Sequence, residues 1–339
     1  MEEAIGDRRE TGEVRGVPTA RVRSNGFTVA GAVFLVAMVA AQVASGLQPR
    51  PVQLTSVVVL LLAVSAVAFA AAAHGLPRAV TAFSLVVAVG YAAEWIGIRA
   101  GIPFGPYRYT DVLWPQFGGV PVIVALAWGG MGLAAYAVAK MVVTGDARTS
   151  GTSQVHASPT IPLATPTWTR RGTPARIVVG ALALTSWDLF LDPQMLRLGL
   201  WAWDDPGPYR GVPVSNFVGW VIVSLVVMTL LDMVLREAAP KPETTPARSA
   251  ARRGPEESRG SQERGPTGSS EAPQPAGPNG SSDASVTTTG LVAVYTVMAV
   301  METAGFAVVF EPPDLLVASA GGACMGLFAL LAWRRRWLR

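Results

Sequence analysis

Eight stretches of about twenty residues, each nearly free of Asp, Glu, Lys and Arg, alternate along the chain with polar segments. They cover residues 27–47, 53–73, 79–98, 120–142, 174–192, 216–235, 289–310 and 314–333. About 20 residues rising 1.5 Å each cross the hydrocarbon core of a bilayer, so the pattern predicts eight transmembrane helices. Small residues (Ala44, Ser45, Gly46) follow the first stretch, as at a signal-peptide cleavage site. Its long polar leader and full spanning length predict an uncleaved helix instead. The polar segments hold too little apolar surface to offset the entropy of ordering them. The expected organisation is a disordered tail at 1–26, helices one to four over 27–143 and a polar loop at 144–173. Helices five and six follow over 174–236, then a disordered linker at 237–288, then helices seven and eight with a basic tail over 289–339. The fold class is all-α, a polytopic integral membrane helix bundle.

Composition sharpens this picture. Half of the 339 residues are hydrophobic and only 15% are charged, against about 25% in an ordinary soluble chain. Mean hydropathy is +0.38. A net charge of +4 might suggest nucleic acid as a partner. The basic residues instead flank apolar spans, which is a topology signal. With the N-terminus in the cytoplasm, 22 of the 27 Lys and Arg residues fall on the cytoplasmic side. Arg50, Arg99, Arg108, Arg197 and Arg210 alone fall outside. The reading is therefore a multi-pass cell-membrane protein with both termini cytoplasmic, bathed in membrane lipid and binding no nucleic acid. Cys324 lies in an apolar run and is expected as a small buried thiol. His74 and His156 stand apart, and no His/Cys cluster has metal-site spacing, so no metal is expected.

One phrase occurs twice. Gly105-Pro106-Tyr107-Arg108 is followed by Gly119-Val120-Pro121-Val122 and Trp128. Gly207-Pro208-Tyr209-Arg210 is followed by Gly211-Val212-Pro213-Val214 and Trp220. Both copies join an outward helix to an inward one, which suggests a repeated helical hairpin in parallel orientation. Gly-Pro and Val-Pro make such loops stiff and turning. Tryptophan and tyrosine crowd around both copies, including Trp95, Trp114, Trp128, Trp187, Trp201, Trp203, Trp220, Tyr107, Tyr109 and Tyr209. An interfacial aromatic belt accounts for some of them, and an apolar ligand groove for others.

Ionisable groups inside spans are costly and mark function or pairing. Glu94 lies late in span three, and Asp188 and Asp192 lie late in span five, four residues apart on one helix face. Glu302 lies inside span seven. All four approach the outer half of the bundle. Simpler roles exist for several polar residues. Asp192 precedes Pro193 and would end its helix; Glu94 would pair with Arg99 or Arg108. Asn216 would cap span six, Asp232 would be a surface charge, and Asp111, Asp204 and Asp205 would be solvated.

Two blocks carry a family resemblance. Glu94-Trp95-Ile96-Gly97 with Gly101 to Tyr109 is the first; Asp188 to Pro193, Gly199 to Trp203, Gly211-Val212-Pro213 and Asn216 to Trp220 form the second. Together they resemble the CruF-type carotenoid hydratases, carried under the label "carotenoid biosynthesis protein". The resemblance covers residues 90–130 and 183–222 well and span seven loosely. It implies addition of water across the terminal 1,2 double bond of a linear carotenoid end, giving a tertiary alcohol without a cofactor. It also implies a long apolar carotenoid as substrate, with other carotenoid-pathway enzymes as partners. Such chemistry asks for a protonated carboxylic acid in a dry pocket, electron-rich walls for the cation and a held water. Asp188 or Glu94 would donate the proton, and Asp192 or Asn216 would hold the water. Tyr107, Trp187, Trp203 and Trp220 would shape the groove, with Glu302 beside the substrate. Two rivals remain. Asp188-x-x-x-Asp192 resembles part of the magnesium–diphosphate motif of UbiA-type prenyltransferases. The repeated hairpin with intramembrane acids also suits a transporter or carotenoid carrier.

Overall fold

The structure is a computed structural model describing residues 19–48, 52–144, 172–236 and 281–337. Most of the expected polar tail, loop and linker lies outside these residues. Eight long helices carry the described chain: α1 (Thr19–Gly46), α2 (Val52–His74), α3 (Leu76–Ala100), α4 (Val122–Thr144), α5 (Thr173–Arg197), α6 (Val214–Leu235), α7 (Ser281–Ala304) and α8 (Leu315–Trp337). Each is long and apolar enough to cross a membrane. The protein is an all-α, multi-pass membrane bundle. Helices α1 and α7 begin at Thr19 and Ser281, each eight residues ahead of the expected spans. At the start of α1, the Thr28 hydroxyl donates to the Ser24 carbonyl at 3.0 Å and the Ser24 hydroxyl reaches the Ala72 carbonyl of α2 at 3.3 Å.

Helix α4 is the axis. Of its membrane window 83% is buried, against 11% for α1, and it packs on α2, α3, α5, α6, α7 and α8. Its Gly129-Gly130-Met131-Gly132-Leu133-Ala134-Ala135 run explains why: small side chains let helix backbones approach closely where no hydrophobic drive separates protein from lipid. Hydrogen bonds between helices supplement the packing. The Ser65 hydroxyl (α2) donates to the Gly31 carbonyl (α1) at 2.9 Å, and the Tyr295 hydroxyl (α7) to the Ala183 carbonyl (α5) at 2.9 Å.

The hairpins α3–α4 and α5–α6 pack as a four-helix unit, with α3 against α6 and α4 against α5. At the core of this unit the two tryptophans of the doubled phrase meet. Trp128 and Trp220 stack with centroids 4.0 Å apart and planes 18° from parallel. The loops of both hairpins close the same end of the bundle. There β1 (Tyr107–Tyr109) pairs antiparallel with β4 (Trp201–Trp203), setting Tyr107 opposite Trp203 and Tyr109 opposite Trp201. A second small pair, β2 (Gln116–Phe117) and β3 (Val120–Pro121), leads into α4. The first copy of the phrase thus pairs with the Trp-Ala-Trp run before the second copy. The second copy folds on itself as a tight turn, Gly207 against Gly211 and Tyr209 against Val212.

Three sequence expectations are corrected here. Helix α5 does not end at Asp192 but runs through Pro193 to Arg197. Proline lacks the N–H that would bond the carbonyl four residues back. The Tyr209 hydroxyl supplies the missing donor, reaching the Leu189 carbonyl at 3.0 Å. Asp232 is not a surface charge: it is 3% exposed, takes Nε of Arg176 at 2.6 Å and accepts from the Tyr136 hydroxyl at 3.2 Å. Cys324 is exposed on the outer face of α8 rather than buried.

Candidate active site

The last turns of α3 and α5 bring their carboxylates to one place beneath the β1–β4 ribbon. Glu94, Asp188, Asp192 and Asn216 are all 5% exposed or less, so each polar atom must find a partner within the protein. Glu94 finds three. The Tyr107 and Tyr109 hydroxyls both donate to Oε2, Tyr109 at 2.8 Å, and the Trp128 indole N–H donates to Oε1 at 3.0 Å. The two tyrosines sit two residues apart on β1 and so share a face. Burial first, and then the charge of Glu94, push both phenols well above their ordinary value of 10.0. They stay protonated and serve as donors. Trp128 reaches Glu94 because α3 has Gly90 beside it: a Cβ there would fall 2.6 Å from Trp128 Cγ. The expected pairing of Glu94 with Arg99 or Arg108 does not occur. Arg99 bonds the Trp95 and Gly118 carbonyls, and Arg108 pairs with Asp204 at 2.6 Å on the exposed side of the ribbon.

Asp188 and Asp192 form the second half of the site. The side-chain amide of Asn216 donates to Oδ2 of both, at 2.7 Å to Asp188. Asn216 is therefore not the N-cap of α6. That position is Pro213, and no side chain caps the helix start. Glu94 lies within Coulombic reach of both aspartates. Among the described residues, the buried Oδ1 atom of Asp188 has no hydrogen-bond partner, nor do the indole nitrogens of Trp187 and Trp203.

These groups enclose a small chamber of about 20 Å³ lined by Glu94, Asp192, Asn216, Tyr107, Tyr109, Phe104, Trp201, Trp203, Trp220, Val124 and Leu191. A space of about 10–15 Å³ is enough for one water. Of the residues singled out in the sequence, Glu94, Asp192, Tyr107, Trp203, Asn216 and Trp220 thus share one chamber. Asp188 stands behind its wall, joined to it through Asn216. Trp187 lies edge-on to Trp220 at 6.2 Å, at 84° between planes, and lines the adjoining space. Glu302 is not part of the cluster. It is buried on the wall of a separate cavity, and no described hydrogen bond or ion pair reaches its carboxylate. Trp95 and Trp114 are 41% and 82% exposed and so stand on the outside of the bundle rather than as groove walls. Tyr109 and Trp128 were visible as aromatics, but only the ribbon register and the stacked tryptophans show them bonding to Glu94.

Fold and site together define a multi-pass membrane protein with a buried, aromatic-walled acid chamber at one end of its helices. Residues 55–251, more than half of the chain, match the family model for "carotenoid biosynthesis protein", and the chain belongs to that family. The matched region contains all of the acid chamber and ends before α7. The chain is also similar to the bisanhydrobacterioruberin hydratase of Haloarcula japonica, at 27% identity over 156 residues, or 46% of this chain and 45% of that protein. The match therefore spans a little under half the length of that relative. No solved structure matches the chain.

Proposed function

We propose that the protein adds water across the terminal double bond of an acyclic carotenoid end, producing a tertiary alcohol. The observation that carries this reading is the meeting of carboxylates from two helices at a buried, water-sized chamber walled by aromatic rings. Family membership supports a carotenoid as the ligand, and the name of the Haloarcula relative supports hydration.

Two adjacent carboxylates bridged by one amide hold a shared proton at lower electrostatic cost than two negative charges. Asp192 faces the chamber and would deliver that proton to the less substituted alkene carbon. A C–H bond forms, the π bond breaks, and positive charge appears on the tertiary carbon. The faces of Trp201, Trp203 and Trp220 stabilise the cation. The chamber water attacks it, forming the C–O bond, and loses a proton to Glu94. Water bound to a carbocation is strongly acidic, so a carboxylate held by three donors is base enough. Returning that proton from Glu94 to the aspartate pair closes the cycle. The net change is alkene plus water to alcohol, without oxidation or reduction, so no cofactor is called for. The charge bias supports an orientation with the ribbon end outside the cytoplasm of a cell-membrane protein and both termini inside.

The test is expression in lycopene-producing cells grown in ¹⁸O-labelled water. A pigment heavier by one or two labelled waters is expected. Asp192→Asn should abolish it with the protein still inserted, and Asp188→Asn should lower the yield and shift its pH profile. Unmodified pigment from wild-type cells, or full yield from Asp192→Asn, would refute the reading.

A further inference from the structure

The acid chamber of about 20 Å³ has room for a water but not for a branched alkene as well, so under the hydration reading most of a long substrate must lie in space beside it. A cavity of about 240 Å³ between α1, α2, α5 and α7 is the candidate. Its walls are mostly apolar and soft, with Met195, Met298 and Met301 beside Trp187 and Phe310, and carry Gln42, Gln194 and Glu302 as polar points. Flexible, polarisable methionines conform well to a stiff, flat ligand. Its mouth lies where α1 ends, beside Val43 and Leu47, 52% and 82% exposed, and Val309, 42% exposed. Val309 closes a five-residue π-helical turn, Gly305–Val309, that continues α7, and such turns recur at functional sites.

Inward, the cavity abuts two smaller spaces across shared wall residues. Thr55, Val59, Trp187, Leu191 and Met195 also line a middle space of about 40 Å³. Val124, Leu191, Trp201 and Trp220 line both that space and the acid chamber. Leu191 is the one residue common to all three. The reason is helical. Trp187, Leu191 and Met195 form a stripe at four-residue spacing, one residue out of phase with Asp188 and Asp192. Helix α5 thus presents an acid stripe and an apolar stripe side by side.

We infer that this chain of cavities is the isoprenoid's binding track, entered sideways from the bilayer, and that Leu191 is the throat residue that admits an open-chain end and excludes a cyclised one. The inference rests on the hydration reading for what happens beyond the throat, not for the track itself. Pockets that enclose a whole drug-sized ligand run roughly 300–1,000 Å³. A cavity of about 240 Å³ therefore takes the end segment, and the rest of the molecule stays in lipid. A branched leucine at the narrowest point lets a methyl-branched chain pass but not a trimethylcyclohexenyl ring. Trimming it to alanine opens the passage; a tryptophan there closes it.

The experiment uses the full-length protein purified in detergent from cells making either lycopene or β-carotene. Retained pigment is read by absorbance in an Asp192→Asn background, and hydrated product in the otherwise wild-type protein. Leu191→Trp should cut hydrated product at least tenfold while retained lycopene persists, because the track outside the throat is intact. Met301→Trp should cut retained lycopene and product together. Leu191→Ala should gain retention of β-carotene, which the parent excludes, and a gain of this kind cannot come from misfolding. Wild-type product from both tryptophan variants, or exclusion of β-carotene by Leu191→Ala, would overturn the track. Lycopene retained but never hydrated by the wild-type protein would instead remove the hydration reading and leave the track standing.

Discussion

Three donors on one buried carboxylate make Glu94 sensitive to the side chains that hold it. Losing the Tyr107 hydroxyl by Tyr107→Phe leaves Oε2 with Tyr109 alone. A buried acceptor deprived of a partner costs about 1–3 kcal/mol, so a fall of roughly tenfold or more in hydrated product is expected, with the protein still folded. Tyr109→Phe should do the same, and the double variant should lose more than the two effects added, since it strips Oε2 of its last hydroxyl donor. Product yield by mass checks this. Strictly additive losses would mean that the tyrosines act apart. At this scale the sequence was informative about residue type. A carboxylate inside an apolar helix announces itself. It does not announce its partners. Asn216 read most simply as a helix cap, because a short polar residue at a helix start usually is one. Only the approach of α6 to α5 turned it into the bridge between two aspartates.

Helix α5 shows how a local rule can be satisfied by a distant residue. Pro193 removes the donor for the Leu189 carbonyl, and the sequence therefore predicts an end there. The helix continues because Tyr209, sixteen residues later, donates instead. The consequence is measurable as a double-mutant cycle in thermal unfolding. Tyr209→Phe should cost about 1–3 kcal/mol in the wild-type background, where it leaves a carbonyl unpaired. It should cost clearly less in Pro193→Ala, whose new N–H can take the same carbonyl. Equal costs in both backgrounds would show that Tyr209 does not serve Leu189. The doubled phrase is explained at this scale too. Its two tyrosines hold the two acid-bearing helices, Tyr107 through Glu94 on α3 and Tyr209 through the backbone of α5. Its two tryptophans stack where the hairpins meet. The copies are alike in sequence but differ in use, because one loop forms a ribbon strand and the other a closed turn.

Over the whole molecule, the acid chamber closes one end of the four-helix unit and a buried ion pair ties the other. Arg176 at the start of α5 and Asp232 near the end of α6 are 13% and 4% exposed at their side chains. Removing one partner strands a charge, which costs about 3–5 kcal/mol. Arg176→Leu should therefore lower the unfolding midpoint and the folded yield sharply, and adding Asp232→Leu should recover most of the loss. A double variant as unstable as the single one would show that the pair is more than mutual neutralisation. Hydropathy alone determined that eight helices among the described residues are long and apolar enough to cross a membrane, since span length and charge scarcity are properties of sequence. It also determined that Glu94, Asp188 and Asp192 must be accommodated within the spans. Which acids meet was left to the tertiary structure. Glu302 is also buried and as improbable by sequence as the others, yet it stands apart, because helix rotation and the path of connecting loops, not hydropathy, decide which faces converge. The cavities have the same origin: a passage from lipid to the acid chamber is the space left between four helices, and no single segment encodes it.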